Sequence, residues 1–241
     1  MKNQNYTDFA KYYDMLGWNK FSHVCAERLH NFIRFRGVGN ESVLDLACGT
    51  GELEYKLRNT NLKFTGVDLS MSMLTQARRK INGVKFIHGD ITSVRLKQKY
   101  DIAVCFFDSV NHLSGITAVR KLFKTARVHL RKGGFFIFDM LTPDGLSEWE
   151  SVDIRRKPDH TVIVNGFYDS DKITAEINIE GFIKSGRNTY NRFIQNLIER
   201  SYNFDTVAES LEKAGFDNIS VSAFNPDEHI KHTSRWFFTA G

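Results

Sequence analysis

Val43-Leu44-Asp45-Leu46-Ala47-Cys48-Gly49-Thr50-Gly51-Glu52-Leu53 decides the fold. Val43, Leu44 and Leu46 read as a short buried strand. Gly49 and Gly51 mark a tight turn, because a residue without a Cβ accepts left-handed backbone angles and close approaches. Leu53 and Leu57, four apart, place one apolar face on a helix that follows. A strand, a glycine turn and a helix in this order form the ligand-accepting corner of an open α/β sheet, at the carboxyl end of its first strand.

Phosphate ligands match this corner poorly. A P-loop needs G-x-x-x-x-G-K-[ST], and no Lys-Ser or Lys-Thr follows Gly51. Counted from Gly49, the third glycine of a G-x-G-x-x-G dinucleotide fingerprint falls on Glu54, which disfavours a nicotinamide reductase. Glu52 and Glu54 also put negative charge in the first helical turn, where a pyrophosphate would sit. The corner instead suits a ligand carrying positive charge.

Asp45-Leu46-Ala47-Cys48-Gly49-Thr50-Gly51 resembles the first motif of class I S-adenosylmethionine-dependent methyltransferases, acidic-x-G-x-G-x-G, with the small residue Ala47 replacing the first glycine. The resemblance implies S-adenosyl-L-methionine as cofactor. Its amino-acid tail would lie on the backbone of Asp45, Ala47, Cys48, Gly49, Thr50 and Gly51. Leu62–Val67 predicts the second strand, ending at Asp68, where a carboxylate is placed to accept hydrogen bonds from both ribose hydroxyls. Ser70 is a good helix cap, and Met73, Leu74, Ala77 and Ile81 follow helical spacing. Gly66-Val67-Asp68-Leu69-Ser70, with Met73-Leu74, resembles the second family motif and brings Asp68, Leu69, Ser70 and Met73 to the cofactor. Val84–His88 predicts the third strand. By the same resemblance, Gly89, Asp90 and Ile91 hold the adenine: the Asp90 carboxylate accepts from its amine and the neighbouring side chain covers the ring. Taken alone, Asp68 reads equally as a helix-capping carboxylate and Asp90 as a loop residue.

Tyr100–Phe107 is almost continuously apolar, as in a parallel sheet covered on both faces. The segment Asp108-Ser109-Val110-Asn111-His112-Leu113 follows, and the family places this strand end, with Phe106 and Phe107, against the sulfonium. Family members that methylate exocyclic nucleobase amines carry Asp/Asn-Pro-Pro-Tyr here. Phe107-Asp108-Ser109-Val110 departs from that pattern and resembles the small-molecule branch. A neutral amine acceptor needs little beyond alignment. A hydroxyl acceptor needs a base, and His112 and Asp108 are the catalytic candidates; a structural loop histidine is the plainer reading of His112.

Ile116, Val119, Leu122, Phe123, Ala126 and Leu130 predict a long helix stopped by Gly133-Gly134. Phe135–Phe138 is then the fifth strand, ending at Asp139, and Lys132-Gly133-Gly134-Phe135 resembles a further family signature. Ahead of the first strand, an aromatic helix is predicted over 6–16 (Tyr6, Phe9, Tyr12, Tyr13, Met15, Leu16) and another over 19–35, before a break at Gly37-Val38-Gly39-Asn40. Such helices fold over the cofactor pocket in the family. Tyr12-Tyr13-Asp14 resembles an N-terminal Tyr-Tyr-Asp of small-molecule members, which leaves Tyr13 between lid packing and cofactor contact. From His160 to about Asn203 the period drops to two, as in Ile173, Ala175, Ile177 and Ile179. Three antiparallel strands near 161–168, 172–183 and 188–200 are expected, as a cap or a dimer surface. Val207, Leu211 and Ala214 predict a helix, and strands near Asn218–Ala223 and Arg235–Ala240 complete the sheet.

The expected fold is therefore α/β: a Rossmann-like, seven-stranded, mostly parallel sheet with helices on both faces. Its parts are a helical lid (1–40), a cofactor-binding domain (41–150 with 204–241) and an inserted antiparallel cap (151–203). The 241 residues, 41% of them hydrophobic, are enough for one such core. The three cysteines form no C-x-x-C pair, so neither a zinc site nor a disulfide framework is expected. That fits a cytoplasmic protein, as does the polar opening Met1-Lys2-Asn3-Gln4-Asn5. No run approaches the roughly 18 apolar residues of a membrane span. The net charge of +5 is mild, and the basic clusters Arg78-Arg79-Lys80, Arg131-Lys132 and Arg155-Arg156-Lys157 stand far apart, which disfavours a nucleic-acid partner. The expected function is methyl transfer to a nitrogen or oxygen of a small molecule by a monomer or homodimer. An RNA or protein methyltransferase is the alternative, and a non-enzymatic nucleoside-binding regulator a further class.

Overall fold

The computed structural model describes residues 8–37, 39–225 and 227–241. Its larger sheet is built from β1 (Ser42–Leu46), β2 (Lys63–Asp68), β3 (Lys85–His88), β4 (Tyr100–Cys105), β5 (Leu130–Leu141), β10 (Ile219–Ala223) and β11 (Arg235–Ala240). The spatial order is β10-β11-β5-β4-β1-β2-β3. β1 pairs in parallel with both β2 and β4, and β4 with β5, whereas β11 runs antiparallel to β5 and β10. The strand order reverses at β1, so the carboxyl ends of β1 and β4 flank the crevice where open α/β sheets accept ligands.

Both faces of this sheet are covered. All five residues of β1 are buried, and successive side chains point to opposite sides. Leu44 and Leu46 join Phe136, Phe138 and Phe238 beneath α4 (Ile116–His129) and α6 (Phe204–Lys213). Val43 joins Ile102, Val104 and Ile137 beneath α1 (Phe21–Phe35), which contributes Cys25, Ala26, Leu29 and Ile33. α2 (Glu52–Lys56) shares the α1 cluster through Leu53, and α3 (Met71–Lys80) packs Leu74 and Ala77 with Cys48 and Phe86. The side chain of Ser70 caps α3 by accepting from the Met73 amide at 3.3 Å. Ser70→Ala is expected to lower stability by about 1 kcal/mol, read as a shifted urea midpoint with an unchanged slope.

Between β5 and α6 the chain forms α5 (Pro143–Ser147) and a second, antiparallel sheet, in the order β6 (Val152–Lys157), β7 (His160–Asp169), β8 (Thr174–Lys184), β9 (Tyr190–Arg200). One face, with Val162, Val164, Ala175, Ile177, Ile179 and Phe193, packs against Phe9, Leu141 and Leu146. The sheet has one strand more than the pattern predicts. β6 is an edge strand with no buried residue, and Arg155-Arg156-Lys157 hides its alternation; charged edges of this kind resist unwanted pairing.

Three local expectations are corrected. Instead of a helix over 6–16 there are two 3-10 turns, Phe9–Lys11 and Trp18–Lys20, joined by irregular turns through Gly17 at φ +83°. So short a segment gains more by seating its aromatic rings individually than by closing helical turns. Tyr6, the opening Met1–Asn5 and Val38 lie outside the described residues. Gly133-Gly134 does not end α4, which stops at His129. The pair lies inside β5, where the register slips between Tyr100↔Leu130 and Ile102↔Phe135. A Cβ on Gly134 would stand 2.8 Å from the Asp101 carbonyl, so the glycines serve a bulge. Finally, β4 ends at Cys105, and Phe106 and Phe107 belong to the loop beyond it. Among the described residues no helix is long and apolar enough to cross a membrane.

Candidate active site

The glycine turn carries left-handed residues at every second position: Ala47 at φ +74°, Gly49 at +53° and Gly51 at +70°. The amides of Ala47 and Cys48 both donate to the Val67 carbonyl, at 2.8 and 3.1 Å, and this holds Ala47 in a conformation that costs an L-residue about 1–2 kcal/mol. The two glycines answer different needs. A Cβ on Gly51 would press on Phe86 at 3.0 Å and Ala77 at 3.1 Å, whereas one on Gly49 would meet nothing within 4 Å. Gly51 lets the turn pack on its neighbours, and Gly49 is an open ledge of bare peptide.

Beside this ledge stands Asp68. Its Oδ2 accepts from the Gly49 amide and its Oδ1 from the Ser70 amide, both at 2.8 Å. Burial raises its pKa, and those two amides work against the rise. An ionised carboxylate has about four acceptor positions, so one remains on each oxygen, matched to a pair of neighbouring hydroxyls. The amide of Gly89 donates to the Asp68 carbonyl at 3.0 Å, which brings the end of β3 alongside. There Asp90 is exposed, its Oδ1 accepting from the Thr92 amide at 2.8 Å, and Ile91 is buried. Leu69 is 65% exposed although it stands between buried strand and capped helix, and an apolar side chain so placed is a ready cover for a flat ring. Met73 is buried in α3.

The N-terminal segment closes on the same turn. Thr50 Oγ1 donates to Asp14 Oδ1 at 2.7 Å. Lys80 Nζ lies 2.6 Å from Asp14 Oδ2 and 2.7 Å from Glu52 Oε2, and His23 Nε2 lies 3.1 Å from Glu52 Oε1. Tyr13 packs edge-on against Phe9, with ring centroids 5.4 Å apart, within the cluster under the inserted sheet. Its neighbour Asp14 is the residue that reaches the glycine turn.

Beneath the turn lies buried acid. Asp45 is 3% and Glu54 0% exposed, and no other residue bonds either Glu54 oxygen. Burial pushes Asp45 well above the usual carboxylate range and Glu54 up to about 7. The buried Cys48 packs beside them, and a Cβ on Gly66 would fall 2.7 Å from its Sγ and 2.9 Å from Glu54 Oε1.

A second polar cluster occupies the carboxyl end of β4. Phe107 and Asp108 are both left-handed, at φ +59° and +49°. Their amides donate to one carboxylate, that of Asp139: Phe107 to Oδ1 at 2.6 Å and Asp108 to Oδ2 at 3.0 Å. Arg235, at the start of β11, bonds Asp139 through Nη1 and Asp108 Oδ2 through Nη2, the latter at 3.3 Å. Asn111 spans Leu141 and the Arg200 carbonyl, fixing the inserted sheet to the end of β5. His112 Nε2 lies 3.6 Å from Glu199 Oε1, and the Trp149 indole donates to Glu199 Oε2 at 3.2 Å. Burial lowers the His112 pKa. Burial, reinforced by Asp108, raises that of Glu199 well above the usual range. Both groups are thereby driven toward their neutral forms. Phe21 closes the cluster from above, stacked on Phe107 at 5.1 Å, with the Arg235 guanidinium 4.3 Å from its ring centre.

The two sites expected from sequence, 45–51 with 68–73 and 89–91, and 106–112, thus stand at the carboxyl ends of adjacent strands. Arg235, Glu199 and Trp149 were not foreseen. Asp139 was marked only as a strand end, and no local spacing announces a partner that arrives from another strand.

Known proteins match this arrangement. A family described as a methyltransferase domain matches residues 43–134. The chain is 28% identical over 242 residues to YqeM of Bacillus subtilis (strain 168), which bears a methyltransferase name, covering 98% of this chain and 96% of that protein. It is 31% identical over 160 residues to the dTDP-3-amino-3,4,6-trideoxy-alpha-D-glucopyranose N,N-dimethyltransferase of Streptomyces venezuelae, covering 64% of this chain and 67% of that one. An S-adenosylmethionine-dependent methyltransferase from Clostridium acetobutylicum ATCC 824 superposes with a TM-score of 0.81 at 26% identity, over 98% of both chains. With an open peptide ledge, a carboxylate keeping two acceptor positions free and an acidic bed below, the chain belongs to the class I methyltransferases that use S-adenosylmethionine as cofactor.

Proposed function

We propose that this methyltransferase alkylates an amine nitrogen of a small molecule, with an amino sugar as the leading acceptor class. When bound, S-adenosylmethionine supplies an electrophilic methyl group for in-line displacement, which leaves position and electrostatics to the protein. In this reading the backbone of Asp45, Ala47, Cys48, Gly49, Thr50 and Gly51 takes the amino-acid tail, and Asp68 takes the ribose hydroxyls. Leu69, Ser70, Met73 and Ile91 frame the purine, Gly89 and Asp90 meet its amine, and Phe106 and Phe107 face the methyl group. Tyr13 stands behind Asp14, which braces the closed N-terminal segment.

One observation carries the choice of nitrogen over oxygen: the strand-end cluster holds no free, ionised base. Asp108 is tied to Arg235, Glu199 is driven toward its protonated form, and His112 is a neutral imidazole of lowered pKa. An ammonium group loses its proton near about 8–10, within range of a neutral imidazole as proton acceptor. An alcohol, near about 15–16 by comparison with water, must give up its proton in step with methyl transfer, and an imidazole of lowered pKa is a weak base for that. The amino-sugar name of the Streptomyces venezuelae relative points the same way.

The test is labelled methyl transfer from S-adenosylmethionine to an amino-sugar nucleotide, to its counterpart with hydroxyl in place of amine, to tRNA fragments and to a lysine-rich peptide. Transfer is expected to the amine alone. Transfer confined to the hydroxyl compound, the RNA or the peptide overturns the reading.

A further inference from the structure

Two consecutive non-glycine residues in the left-handed region need an external hold, because each is disfavoured by its own Cβ. Phe107 and Asp108 obtain it from a single carboxylate, whose two oxygens accept their two amides. Asp139 is itself 0% exposed, so its charge needs a partner. The groups that face it are Arg235 from β11, Asp108 from the loop, Cys25 and Arg28 from α1 and Cys105 from β4. Of the two cations, Arg28 gives its hydrogen bond to the Phe224 carbonyl, and Arg235 bonds Asp139 directly. The second arm of Arg235 reaches Asp108 on the very turn that Asp139 holds. Its upper face is sealed by Phe21, which also lies on Phe107. A planar fork suits this double grip, and a point charge does not. Buried ion pairs are weak evidence for stability, and this one is spent on a strained turn at the reacting end of the sheet.

We infer that Arg235 is a positioning residue for methyl transfer: by gripping Asp139 and Asp108 together it fixes the left-handed Phe107–Asp108 turn, and with it the seat of the methyl acceptor. This rests on the reading that the acceptor meets the cofactor at the carboxyl end of β4. Arg235 touches neither; it acts through the turn. Asp139 holds the two amides most strongly when ionised; burial raises its pKa and Arg235 opposes the rise, so the arginine also favours the intact turn as the pH falls.

The experiment compares Arg235→Gln, Arg235→Lys and Asp139→Asn with the wild type, measuring kcat, KM for acceptor, the Kd for S-adenosylmethionine and the pH profile. Arg235→Gln is expected to lose about 30- to 100-fold in kcat while the cofactor Kd stays within about threefold, since the glycine turn is untouched. Its kcat is expected to fall further as pH is lowered, through protonation of Asp139: burial already raises that carboxyl and Arg235 opposes the rise, so the limb moves to higher pH than in the wild type. Arg235→Lys keeps the charge and one contact, so about a fivefold loss without that upward move is expected. Asp139→Asn matches the glutamine variant but without its pH dependence. Wild-type kcat in Arg235→Lys and Arg235→Gln overturns the inference, as does an equal loss in cofactor binding and turnover, which would make the arginine merely structural. If Arg235→Gln does not fold, Arg235→Lys decides alone by the same two readouts. Failure of the amine reading is separate: it shows as wild-type transfer to another acceptor, on which the same variants are then compared.

Discussion

Replacing Asp68 by alanine is expected to weaken S-adenosylmethionine binding by at least about 100-fold, with S-adenosylhomocysteine affected equally. Each hydrogen bond to a charged acceptor is worth about 1.5–3 kcal/mol, so two ribose hydroxyls amount to about 3–6 kcal/mol, or roughly 100- to 10,000-fold. The carboxylate does more than face the ligand. It joins the Gly49 amide of the first motif to the Ser70 amide that opens α3, so its removal also frees the peptide ledge at Gly49. Asp68→Asn keeps one acceptor oxygen and is expected to fall between alanine and wild type. The raised pKa of the buried carboxyl gives the sign of a further effect. As pH falls the group protonates, one acceptor becomes a donor, and affinity for the nucleoside declines. Isothermal titration at two pH values checks both statements, and an alanine variant that binds within fivefold of the wild type removes Asp68 from the site.

The glycine turn, the strand-end carboxylates and the succession of strands and helices that build the large sheet were legible because each is written in contiguous residues. Gly49 and Gly51 announce positive φ, Asp68-Leu69-Ser70 announces a strand end and a cap, and the almost continuously apolar run of 100–107 announces a doubly covered strand. Ala47 was legible only through its neighbours, since nothing in an alanine predicts φ +74°. What stayed hidden was everything long-range. Arg235 meets Asp108 across 127 positions of chain, and Glu199 meets His112 because Asn111 ties β9 to the end of β5. Hydrophobic period reports which face of an element is buried, and carries nothing about which polar side chain from another element will be met there. The same limit explains Gly133-Gly134. A glycine pair after a helix reads as its stop, and only the register slip against β4 reveals a bulge.

Glu54→Gln is expected to make the protein more stable at pH 8 by about 3 kcal/mol while changing little near pH 4.5. Glu54 is 0% exposed, and no other residue bonds either of its oxygens. Burial pushes its pKa from 4.5 to about 7, against its own backbone amide and Lys80, with Asp68 adding to the rise. Below its unfolded value the group is protonated in both states, and its contribution to stability is fully present. Between there and about 7 the unfolded chain ionises while the folded one holds its proton, so stability falls as pH rises. Above 7 both states are ionised and the loss is complete, about 3 kcal/mol at 1.36 kcal/mol per pH unit. Glutamine has the same shape without the ionisation, so its urea midpoint should pull ahead of the wild type as pH increases from 5 to 8. The buried Asp45, raised in the same sense, will leave the variant some pH dependence of its own. An ionised carboxyl directly beneath the glycine turn would favour a cationic ligand above it, at this cost in stability. The same variant should therefore lose affinity for the cationic S-adenosylmethionine more than for neutral-sulfur S-adenosylhomocysteine at pH 8, and equal losses for the two would leave Glu54 without that role.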